Sequence, residues 1–242
     1  SKNFLVVPVY ATKRRFRFKH ALEFEIASGN QPSHNLKGGF ISPELGDIFI
    51  GLDLQVGNVI ANTKYFQMLH NQGIKIYFIL YDLLPIEFPE FFDDDVKPAH
   101  EAWLRSIAKF SGVICISDTV KHHFDQWLGE KGIRVQNNFK LDSIRLGYDF
   151  VDNAKSSDLE LLPPDWLRLI GQRKMALMVG TLEPRKGYGQ IISMFDQLWS
   201  QGVDDCLVIV GKRGWKVDRL VKELEQHPIR NKNLFWIEDA DD

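Results

Sequence analysis

Five short apolar runs punctuate the first 150 residues: "FLVVPVY" (4–10), "DIFIGLD" (47–53), "KIYFILYD" (75–82), "GVICIS" (112–117) and "SIRLG" (143–147). A strand with one wet face alternates apolar and polar residues, whereas a near-continuous run is covered on both faces, as in a parallel sheet. Helical patterns fill the gaps. Residues 59–72 place Phe66 and Leu69 on one face, and 99–110 carry Trp103, Leu104, Ile107 and Ala108. In "DTVKHHFDQWLGEKG" Asp118 is the expected N-cap, Val120, Phe124, Trp127 and Leu128 share a stripe, and Gly132 terminates the helix. Such βαβ alternation predicts an open parallel sheet.

The rhythm breaks at "DFVDNAKSSDLELLPPDWLRLIGQR" (149–173), a polar stretch with a double proline. It then restarts with "KMALMVGT", a helix bearing Ile191, Ile192, Phe195, Leu198 and Trp199, "CLVIVG", "VDRLVKELEQH" and "NLFWIED". The predicted organisation is α/β, with a Rossmann-like domain over 1–150, a linker over 151–170 and a second Rossmann-like domain over 171–242.

Charge narrows the function. The formal net charge of −2 gives no global nucleic-acid signature. Cys115 and Cys206 both lie inside apolar runs without metal-ligand spacing, as two buried thiols in a reducing compartment would. No apolar run reaches the ~18 residues of a membrane span, and no secretion signal opens the chain. The chain starts three residues before a strand and stops where a helix is due, which reads as a fragment.

The chemistry concentrates in "VGTLEPRKGYGQII" (179–192). A strand that turns into a helix offers unpaired backbone N–H groups, and the adjacent cations Arg185 and Lys186 beside them suit a phosphate or diphosphate. The bland alternative is a solvated turn. Ligands of open α/β sheets bind beyond the carboxyl ends of the strands, where Gly180, Thr181 and Glu183 to Lys186 fall; Gly187 allows close backbone approach. After the next strand, Gly211, Lys212 and Arg213 would reach the same phosphate or a base attached to it, or form an ordinary cationic turn. The basic, Phe-containing stretch "ATKRRFRFKHALEFE" (11–25) reads as a loop-to-helix junction, with peripheral contact to anionic lipid as the alternative. No G-x-G-x-x-G follows a predicted strand, against an epimerase or dehydrogenase, and no G-x-S-x-G, H-E-x-x-H or Walker lysine loop is present.

"VGTLEPRKG" followed by "LVIVGKRGW", and preceded by "YDLLPIEFPEFF", "GVICISDTVKHHF" and "SIRLGYDF", resembles the retaining glycosyltransferases of family four, in the bacterial branch that builds O-antigen and capsule, often mannosyltransferases. The resemblance implies a GT-B architecture, with an acceptor-side first domain and a second domain for a nucleotide diphosphate sugar. It implies a diphosphate held by Lys186. Many relatives add an Arg where Thr181 stands here, so Arg185 is the expected substitute, its fork suiting bidentate contact. Tyr81 and Asp82 stand where many relatives carry a His-Asp pair and are the implied catalytic residues, although Asp82 capping the "LLP" turn explains it equally. Transfer would proceed by front-face attack with the leaving diphosphate as base, without metal or other cofactor. The resemblance further implies GDP-mannose as donor, a glycan or polyprenyl-diphosphate-linked acceptor in polysaccharide or lipopolysaccharide synthesis, and a cytoplasmic enzyme at the inner face of the membrane. Relatives carry chain beyond both ends, so these residues alone are expected to transfer no sugar and to self-associate through an open sheet edge. A non-catalytic sugar-phosphate or nucleotide-sugar binding module is the alternative.

Overall fold

The computed structural model describes residues 43–147 and 173–238, and three short strands before them. Two compact units emerge: Ser1–Glu87 with Asp95–Gly147, and Phe88–Asp94 with Tyr148–Asp242.

In the first unit, β1 (Val9–Ala11), β2 (Phe18–His20) and β3 (Phe40–Ile41) form an antiparallel sheet, Val9 lying opposite His20. This corrects two expectations. Only the end of the run at 4–10 falls in β1, which is not parallel, and β2 lies where a loop-to-helix junction is expected. The alternation of Phe16 and Phe18 with Arg17 and Lys19 has the period of a strand. Residues 4–8 and the cations at 13–15 lie outside the described residues.

The main sheet is parallel, in the order β4 (Ile48–Gly51), β5 (Lys75–Leu80), β6 (Gly112–Cys115), β7 (Lys140–Ser143). Its crossovers are α1 (Val56–Ala61), α2 (Thr63–Asn71), a single turn α3 (Leu84–Glu87), α4 (Val96–Ile107) and α5 (Asp118–Glu130). The helix expected over 59–72 is broken at Asn62. There the Asn62 amide donates to the Asn58 carbonyl (2.7 Å) and the Thr63 hydroxyl to the Val59 carbonyl (3.1 Å), local bonds that compete with the helical ladder. The cap of α5 is Ser117, in extended backbone, whose Oγ accepts from the Val120 N–H at 3.2 Å; Asp118 is already helical. The strand expected at 143–147 sits at Lys140–Ser143, because β6 ends at Cys115 and its register pairs Cys115 with Ser143.

The core is aromatic. Phe66, Phe78 and Phe110 meet at centroid distances of 5.5 to 5.9 Å, two of the three contacts edge-on, as ring quadrupoles favour. Trp103, Leu104 and Ile107 of α4 and Phe124, Trp127 and Leu128 of α5 are buried beside them, as their spacing predicts.

The second unit holds β8 (Met175–Val179), α6 (Tyr188–Ser200), β9 (Cys206–Val210), α7 (Asp218–Gln226) and β10 (Leu234–Ile237), in a parallel sheet ordered β10-β9-β8. Ile192 and Phe195 of α6 pack with Leu207, Ile209, Val221 and Leu224 on one face, while Cys206, Val208 and Phe235 cluster on the other. Both cysteines are buried and free. Burial raises both thiol pKa values, that of Cys115 to about 12, so neither is a thiolate near neutral pH. Double-sided cover holds for the inner strand β9 but not for β4 or β8, which alternate: Met175, Leu177 and Val179 are exposed on one face of β8. Both are edge strands of their sheets. Phe88–Asp94 belongs to this unit through Trp215, whose indole N–H donates to the Phe91 carbonyl (2.8 Å) and whose ring stacks on Phe92. The linker expected at 151–170 lies outside the described residues.

Candidate anion-binding site

At the carboxyl end of β8 the chain does not leave the sheet at once. The Gly180 N–H donates to the Val210 carbonyl (2.8 Å), Leu182 to Lys212 (2.9 Å) and Gly214 back to Leu182 (3.1 Å), so the turns after β8 and β9 are laced together. That closeness needs glycine. A Cβ on Gly211 would stand 2.0 Å from the Gly180 carbonyl oxygen. Gly180 itself has φ +140°, and a Cβ there would meet the Lys186 ammonium at 3.0 Å, so the lysine lies over a bare backbone. The Tyr188 hydroxyl donates to the Gly180 carbonyl at 2.6 Å, and burial, then the charge of Glu183, raises its pKa.

Glu183 is extended, Pro184 opens a single 3-10 turn to Lys186, and Gly187 at φ +71° turns the chain into α6, whose start no side chain caps. The glutamate is buried, 6% exposed, and both cations turn onto it. Arg185 Nε lies 2.7 Å from Oε2, and Lys186 Nζ lies 3.5 Å from Oε1. The Arg185 N–H is not aimed at Oε2, so that oxygen has an ion-pair partner but no directed hydrogen bond. Both cations are thus held by an internal ion pair rather than free in solvent. Two cations share one anion, which leaves one net positive charge beside an uncapped helix start. Glu183, Pro184 and Tyr188 also line a cavity of about 370 Å³ with Lys216, Arg219 and Glu223.

The remaining candidates divide. Arg213 is held, its N–H donating to Glu238 Oε1 (3.3 Å) and its guanidinium 3.5 Å from Glu225; Lys212 is exposed and among the described residues has no ion-pair partner. Thr181, which the family resemblance sets at a position of phosphate contact, puts its methyl against Gly214. In the first unit the Tyr81 hydroxyl donates to the Leu52 carbonyl (2.7 Å), and Asp82 Oδ1 accepts from the Leu84 N–H (3.1 Å), the turn cap. Behind them His100, 3% exposed, places Nε2 at 3.3 Å from the Asp82 carbonyl, which makes Nε2 the donor. Burial pulls its pKa down, against the opposing pull of Asp82. Sequence reading passed over His100 and Tyr188; the position of His100 on the stripe of Trp103, Leu104 and Ile107 was the signal for the first.

Known proteins resemble the chain in both sequence and structure. The serotype-specific mannosyltransferases WbdA of Escherichia coli are 31% identical over 199 residues, 81% of this chain. The chain spans about a quarter (24%) of their length. Its structure superposes on the α,α-trehalose 6-phosphate synthase of Burkholderia multivorans with a TM-score of 0.58, at 16% identity over 84% of this chain and 47% of that one. The UDP-forming trehalose-phosphate synthase of Burkholderia xenovorans gives 0.57 at 14% identity, over 81% and 49%. The fold is of the GT-B type. No protein-family model matches the chain. Among the described residues, β8, the Glu183 turn and α6 are the first βα passage of the second unit.

Proposed function

We propose that the chain takes part in retaining transfer of mannose from GDP-mannose to a glycan or polyprenyl-diphosphate-linked acceptor in polysaccharide or lipopolysaccharide synthesis. One observation carries this: two cations gathered at the carboxyl end of β8 in a GT-B fold, in a sequence related to WbdA. Arg185 and Lys186 grip the diphosphate, Lys212 adds a third charge, and the Gly180 turn lets the phosphates approach the backbone. Holding charge where it develops on the leaving group accelerates transfer without a protein nucleophile. No metal is required on this reading, since protein cations neutralise the phosphates. No helix of the described residues is long and apolar enough to cross a membrane. On this reading, and by the family resemblance, the work is done on the cytoplasmic side, at the inner membrane surface.

Calorimetry with GDP, UDP and ADP tests the donor site. GDP binds best on this reading, and Lys186→Ala weakens it by about 1.5 to 3 kcal/mol, the range for a hydrogen bond to a charged group, while guanosine binding stays unchanged. If all three nucleotides bind no tighter than about millimolar, the donor site is lost. The internal engagement of Tyr81 and Asp82 favours a second reading, a non-catalytic nucleotide-sugar module. Donor hydrolysis by the full chain separates the two.

A further inference from the structure

The geometry points to Glu183 as a positioning residue that sets the two phosphate-gripping cations in place, not as a donor ligand. The inference rests on the donor-site reading above. A glutamate in a loop between a strand and a helix is ordinarily solvated; this one is buried and each of its oxygens faces a different cation. The contact to Arg185 runs through Nε, which leaves the outer edge of the guanidinium, Nη1 and Nη2, for another oxyanion. Lys186 is drawn by the same carboxylate across the face of Gly180. Long side chains lose rotamer freedom when they grip a ligand, and a buried counter-ion that holds them beforehand lowers that cost.

The sign of one substitution decides the role. Glu183 carries negative charge beside an anion site, so Coulomb's law alone says that Glu183→Gln tightens binding of a diphosphate. Positioning says the reverse. Calorimetry would use whichever of GDP, UDP and ADP binds the full chain best, with its nucleoside as control. Diphosphate affinity falls about tenfold in Glu183→Gln, nucleoside affinity holds, and Glu183→Asp recovers part of the loss because it keeps the charge one methylene back. Nitrogen-15 relaxation of the Arg185 Nε–H adds a readout free of ligand: it is restricted in the native chain and mobile in Glu183→Gln. Unchanged or tighter diphosphate binding by Glu183→Gln overturns the inference while leaving the donor site standing. If that variant does not fold, an Arg185 Nε–H in the native chain as mobile as that of a surface arginine overturns it equally. Failure of the native chain to bind any of the three nucleotides removes the donor site and this inference together.

Discussion

His100 links the interior of the first unit to the loop that carries Tyr81 and Asp82. Its folded pKa lies below the ordinary value near 6.5, chiefly because burial disfavours the charged ring. About a pH unit or more above 6.5 the ring is neutral in both states, and its contribution to stability is complete. As the pH falls below that value the unfolded chain binds a proton first, so stability declines until the folded pKa is passed. The thermal midpoint should therefore drop as the pH falls from about 7 through the unfolded value near 6.5 and below, and His100→Gln should flatten that drop. An equal slope in the variant would assign the effect to other groups. Gly211 answers a purely steric demand. Gly211→Ala drives a methyl into the Gly180 carbonyl, costs about 1 to 3 kcal/mol as overpacking does, and should weaken nucleotide binding with it. Denaturant unfolding of a variant as stable as the native chain would show that the two turns part freely.

Among elements, the helices were legible where a single face meets the core, as with Trp103 and Ile107 of α4 or Phe124 and Leu128 of α5. Their ends were less so, because a cap is chosen by backbone conformation that neighbouring polar residues compete to satisfy. Ser117 and Asp118 are both good caps by type, and only the extended backbone of Ser117 decides between them. Ser117→Ala should cost about 1 kcal/mol. Differential scanning should register that as a fall of about 2 to 4 °C, and Asp118→Ala as less. Strand limits were displaced for another reason: β7 is bounded by its partner β6, a distant constraint that no local pattern at 143–147 contains. At the site the adjacency of Arg185 and Lys186 was readable. The burial of Glu183 was not, since it depends on packing of the turn that Pro184 and Gly187 bracket.

At the scale of the molecule, two units carry separate cores, one around Phe66, Phe78 and Phe110 and one around Ile192, Leu207 and Ile209. Domains with their own cores respond separately to core lesions. Phe110→Ala should cost about 3 to 5 kcal/mol in the first unit. By hydrogen exchange, amides of β5 and β6 should lose protection while those of β9 keep theirs; simultaneous loss in all three would mean one cooperative block. The alternation of strands and helices made both units legible, whereas the antiparallel β1-β2-β3 sheet was hidden because its strands are two or three residues long. The lacing of Gly180, Leu182 and Gly214 has a consequence for how such a chain can vary through descent. With N–H groups of each turn anchored on carbonyls of the other, loop length there is not a free variable: an inserted residue between Gly211 and Gly214 would unhook both turns at once. Variation at these turns is then confined to exchanging side chains on a shelf of constant length, with Thr181, Arg185, Lys186 and Lys212 as the positions where an exchange leaves the lacing intact.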